Sequence, residues 1–70
     1  MYINKEYEIK DEYPQEIKNE CLILDRMIEN EEFEYFIQID FIEIVTKAHY
    51  LAGNISERDF IHILRRYCLR

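Results

Sequence analysis

The sequence predicts a small all-α domain of three helices, near residues 13–30, 31–52 and 56–69, with a short extended or flexible arm over residues 1–12 and a dimeric assembly. Three observations lead there. Apolar residues recur at helical spacing through each of the three segments. The chain has one Pro and one Gly, and Pro14 and Gly53 stand where a first helix would open and a second would close. The middle segment is apolar on two opposite sides, one more than a chain of 70 residues can cover.

In the arm, Ile3, Lys5, Tyr7 and Ile9 alternate with Asn4, Glu6, Glu8 and Lys10, a period of two that also fits a short strand. Such a strand would need another copy, another protein or the Phe33 region to pair with, so an arm is the simpler expectation.

Pro14 suits the first turn of a helix, with Asp11 or Glu12 to cap or charge its start. Ile17, Cys21, Leu24, Met27 and Ile28 then make an apolar stripe that reads as core.

The middle segment admits two periods. Phe33, Tyr35, Ile37, Ile39 and Phe41 alternate as in a strand, and Ile, Phe and Tyr favour strands. The 3.6-residue pattern, however, continues through Ile44, Val45, Ala48 and Leu51, well beyond a usual strand, and Gly53 supplies a C-terminal cap. As a helix it carries one stripe of Phe33, Ile37, Phe41, Ile44, Ala48 and Leu51, and a second of Tyr35, Ile39, Ile42 and Tyr50. The first is expected to face the chain's own core, leaving Tyr35, Ile39, Ile42 and Tyr50 as the partner or oligomer interface.

The last helix has the clearest local signal. Ser56 is a favoured N-cap, Asp59 stands at the capping-box position, and Ile55 with Phe60 forms a hydrophobic staple. Phe60, Ile63, Leu64, Tyr67 and Cys68 complete an apolar stripe, while Arg65, Arg66 and Arg70 complement the helix dipole at its C-terminal end. The residues Gly53, Asn54, Ile55, Ser56, Asp59 and Phe60 resemble the second half of an EF-hand calcium loop. Positions 48, 50 and 52 are Ala, Tyr and Ala, which cannot serve as its first half, so capping accounts for the motif.

Charge divides the chain. Residues 1–43 hold thirteen acids and four bases, whereas residues 44–70 hold two acids and five bases, within a total of −6. An acidic majority disfavours general nucleic-acid binding, which needs Lys and Arg to displace counterions, and favours a partner with a basic surface. Glu29, Glu31, Glu32, Glu34, Asp40 and Glu43 are the candidates for that acidic partner surface. No apolar run is long enough to span a membrane, and no signal peptide precedes Cys21 and Cys68, which read as reduced core thiols of a cytoplasmic protein. His49 and His62 lack metal-site spacing, and no nucleophile with a base and an orienting partner is evident. No catalytic, cofactor or metal site is therefore expected.

Twelve isoleucines with abundant Glu, Lys and Asn suggest an AT-rich genome such as that of a low-GC bacterium or its mobile elements. The resulting expectation is a protein-binding accessory or inhibitor of the anti-defence, antitoxin or immunity type. It would mask a basic surface of a nucleic-acid-processing partner. The alternative is a dimeric helix-turn-helix-like DNA-binding regulator that contacts nucleic acid through Arg58, His62, Arg65 and Arg66 of the last helix. A structural oligomerisation module would use the same surplus apolar face.

Overall fold

Local chemistry sets the ends of each helix in the computed structural model, which describes residues 2–70. The elements are α1 (Gln15–Glu29), α2 (Tyr35–Leu51) and α3 (Glu57–Arg66), with no strand among the described residues. Pro14 precedes α1 with an extended ψ of 141°, and its carbonyl accepts from the Lys18 N–H at 3.1 Å. Ser56 caps α3 as its sequence position predicts: its Oγ accepts from the Asp59 N–H at 3.0 Å.

All three helices are shorter than their apolar patterns suggest, because each stops in the same way. A residue in the left-handed region follows each C-cap: Glu31 (φ 54°), Gly53 (φ 80°) and Cys68 (φ 57°). The N–H groups of Glu31 and Glu32 return to the carbonyls of Ile28 and Met27, those of Gly53 and Asn54 to Tyr50 and His49, and those of Cys68 and Leu69 to Arg65 and Leu64. These paired returns are Schellman closures, which satisfy carbonyls that a helix end would otherwise leave unpaired. The second helix accordingly starts at Tyr35 instead of residue 31, since the α1 closure and its turn occupy the intervening residues.

The middle helix α2 packs against both α1 and α3, whose own backbones stay farther apart. Ile17, Cys21 and Leu24 of α1, Ile42 of α2, Ile63 of α3 and Tyr67 just beyond it form the buried centre. Residues 2–13 form turns without a strand, and they lie along α3. The Asn4 N–H donates to the Arg66 carbonyl at 2.7 Å, Lys10 Nζ reaches Asp59 Oδ1 at 3.2 Å, and Ile3 and Tyr13 are buried. Hydrogen bonding of this segment to α3 takes the place of the strand pairing that its alternation allows. The radius of gyration of 11.2 Å matches the value of about 11 Å for a folded domain of this length.

Candidate functional site

The apolar faces of α2 are exchanged relative to the sequence expectation. Ile42 is only 1% exposed, and Tyr35, Ile39 and Tyr50 pack partly buried against the core, so these four residues face inward in this chain. Phe36, Ile37, Phe41, Ile44 and Leu51 are exposed instead. The polar residues of the inner face explain the choice. Gln38 is buried because its amide Nε2 donates to the Glu20 carbonyl at 3.1 Å and to the Glu20 carboxylate. Thr46 is also fully buried, and the Tyr50 ring stacks on Phe60 of α3 at 5.2 Å with the planes 5° from parallel. The Gln38 amide finds its partner on α1 only with this face inward, whereas the Thr46 hydroxyl is buried without a hydrogen-bond partner and contributes by its small size.

The acidic candidates are all exposed, and they separate into two groups. Glu29, Glu31, Glu32 and Glu34 belong to the end of α1 and the turn into α2, whereas Asp40 and Glu43 lie along the outer side of α2. The turn contains an open cleft of about 340 Å³ lined by Ile28, Glu31, Glu32, Phe33 and Tyr35. Phe33 is 85% exposed and meets Phe36 edge-to-face at 6.0 Å. Carboxylates around aromatic rings attract a cation twice, once through charge and once through the ring quadrupole. Counting charges finds the acids, but the exposed Phe33 ring beside them follows only from the turn.

The nucleic-acid candidates fare differently from one another. Arg58 and Arg65 are exposed and line a second cleft of about 450 Å³ with Tyr7, Glu57, Ile61 and His62. His62 is held by the N-terminal segment, its Nε2 donating to the Glu8 carbonyl at 2.8 Å and its ring edge-on to Tyr7. Arg66 is buried. Its Nη2 donates to Asp25 Oδ2 at 2.7 Å, its Nη1 to the Tyr7 carbonyl at 2.9 Å and its Nε to the Tyr67 hydroxyl at 3.3 Å. Tyr67 in turn directs its hydroxyl at Asp25 Oδ1, 2.6 Å away. Burial opposes the Arg66 charge, but the Asp25 and Tyr67 contacts outweigh it and hold the guanidinium charged. Arg66 therefore bridges the gap between α1 and α3, and with its side chain buried and all three nitrogens engaged it is not displayed to a phosphate.

The cysteines and His49 stand in separate surroundings. Burial pushes the Cys21 thiol up to about 11, which keeps it protonated at neutral pH, as expected of a core thiol. Cys68 is exposed, contrary to the core position its spacing suggests, because the helix closes at Arg66 and Cys68 adopts a left-handed turn. His49 Nε2 donates to Glu16 Oε1 at 2.8 Å while its Nδ1 accepts from the Asn54 amide at 3.0 Å. Among the described residues, no three His, Cys, Asp or Glu side chains lie close enough together to hold a metal ion. No described helix is long and apolar enough to cross a membrane. No protein-family model, curated protein sequence or solved structure matches the chain.

Proposed function

We propose that this protein is a small protein-binding accessory or inhibitor, of the anti-defence, antitoxin or immunity type, which masks a basic surface of a nucleic-acid-processing partner. The observation that carries the reading is the cleft at the turn between α1 and α2, where Glu31 and Glu32 stand beside the Phe33 and Tyr35 rings. A Lys or Arg side chain from a partner fits this combination, because the carboxylates neutralise its charge and the rings cover its apolar stem or guanidinium plane. Proteins that handle nucleic acids present such side chains in grooves that follow the phosphate backbone. Glu29 and Glu34 add to the negative potential around the cleft and would speed the encounter. We assign the protein no catalytic role, and place it in the cytoplasm, where the unpaired thiols of Cys21 and Cys68 stay reduced.

The test is capture from an extract of the native host with the wild type and with a variant carrying Glu31→Lys, Glu32→Lys and Glu34→Lys. All three positions are exposed, so the variant should keep its helical circular dichroism. We expect the wild type to retain a basic nucleic-acid-processing protein and the variant to lose it by about tenfold or more, the usual scale for reversed interfacial charge. Equal retention by both would overturn the reading.

A further inference from the structure

We propose that a second copy of this chain covers the outer face of α2, with the two helices antiparallel about a two-fold axis between Glu43 and Ile44. In this arrangement Asp40 of each copy pairs with Lys47 of the partner subunit.

The area available suits a second copy. Phe36, Ile37, Phe41, Ile44 and Leu51 are each about half exposed or more. At ~200 Å² for a large apolar side chain they present on the order of 500 Å². A standard interface covers roughly 800 Å² per partner, and Asp40 among these residues, with Lys47 and Ala48 on the two flanks, supplies the remainder.

Charge then fixes the direction. Asp40 and Lys47 stand seven residues apart, so they fall within about 20° of each other on one flank of the outer face. Neither belongs to an ion pair among the described residues. Facing antiparallel helices oppose equivalent flanks, so each Asp40 meets a Lys47 and the contact forms twice around the axis. Parallel helices would instead set this flank against the one bearing Ile37, Phe41 and Ala48, beyond which stands Glu34. The acid there, Glu34, lies about 20 Å along the axis from the height of Lys47 at ~1.5 Å per residue.

One register pairs both Asp40–Lys47 contacts and covers the apolar ends, and it leaves the two Glu43 carboxylates at the solvent rim beside the axis. Pairing Asp40 with Lys47 also sets Phe36 opposite Leu51, so the exposed residues at the two ends of the helix cover each other across the axis. The contact adjoins the turn cleft, since Phe36 meets Phe33 edge-to-face, but the Glu31 and Glu32 carboxylates take no part in it.

The experiment is a light-scattering dilution series on the full chain, using the wild type, Asp40→Lys, Lys47→Asp and an equimolar mixture of the two variants. We expect a wild-type mass of twice the 8.7 kDa chain that falls on dilution. Each variant alone places like charges opposite one another twice and should dimerise about tenfold more weakly or worse. The mixture should recover the dimer, because the heterodimer sets the two lysines of the Asp40→Lys chain against the two aspartates of the Lys47→Asp chain. That recovery also shows that both variants fold. A wild-type monomer at every concentration would overturn self-association, whatever the capture experiment gives. A wild-type dimer that both variants retain unchanged, or a mixture that fails to recover it, would overturn the antiparallel register.

Discussion

At the scale of single residues, Ser56 connects helix initiation to tertiary structure. Its Oγ accepts the Asp59 N–H, and the Asp59 carboxylate meets Lys10 from the N-terminal segment, so the cap also anchors that segment. Burial alone would raise the Asp59 pKa, but the Lys10 and Ser56 bonds outweigh it and hold the carboxyl below its ordinary value. Ser56→Ala should cost about 1 kcal/mol at neutral pH, which lowers the thermal midpoint by roughly 4–8 °C in a domain this small. Because the folded Asp59 pKa lies below the unfolded one, its contribution is present above about pH 4 and is lost as pH falls through the folded value. Ser56→Ala removes part of that depression, so the variant should lose less than the wild type between pH 5 and 2. An unchanged midpoint at pH 7 would show that the cap carries no stability. The sequence reveals this cap because donor and acceptor are three residues apart. Arg66 was not legible in the same way. Its role rests on Asp25, forty-one residues earlier, and nothing local distinguishes it from Arg65.

At the scale of elements, the helix closures carry the most exposed energetic consequence. Three Schellman turns need a left-handed residue, and only one of them has glycine. A left-handed conformation costs an ordinary residue roughly 1–2 kcal/mol, and glycine escapes this while adding some entropy to the unfolded chain. Glu31→Gly and Cys68→Gly should therefore each stabilise by about 0.5–1 kcal/mol in urea or thermal unfolding. Gly53→Ala should destabilise by about 1 kcal/mol, and purely through the backbone, since a Cβ at residue 53 would have nothing within 4 Å. If Glu31→Gly destabilised instead, its side chain would be making a stabilising contact that outweighs the strain. On the proposed function, the same substitution removes a carboxylate from the turn cleft, so stability should rise as partner capture falls. Such opposition is common where a strained residue serves binding. Helix number and order were legible in the sequence, because each apolar stripe keeps the 3.6-residue period. The orientation of α2 was not, since both its stripes keep that period. The decision fell to Gln38 and Thr46, which sequence pattern alone places outside a core. Helix lengths were overestimated for a related reason: apolar spacing continues through Phe33 and Cys68, and a left-handed turn there leaves no mark when the residue is not glycine.

At the scale of the whole molecule, repulsion among the acids opposes the packing of a small core. The net charge is −6, and thirteen of the fifteen acids lie in residues 1–43. Two ion pairs join the described residues beside the His49–Glu16 hydrogen bond, and one of them is the largely buried Asp25–Arg66 contact that screening reaches poorly. At 10 mM salt the screening length is about 30 Å, close to the longest molecular extent of 33 Å. Every exposed acid then acts on nearly all the others. At 1 M it shrinks to about 3 Å, so only touching charges still interact. Added sodium chloride should therefore stabilise the fold by on the order of 1 kcal/mol and raise the thermal midpoint by roughly 4–8 °C. Protein concentration must be held constant, because dimerisation adds its own dependence. A variant with Glu29→Gln and Glu32→Gln should start from a higher midpoint at low salt and respond less to salt, as both carboxylates are exposed. A midpoint that fell with salt would mean that the Lys10–Asp59 attraction outweighs the repulsion. The expected rise would instead identify the acidic half as surface that costs folding energy until an oppositely charged surface covers it.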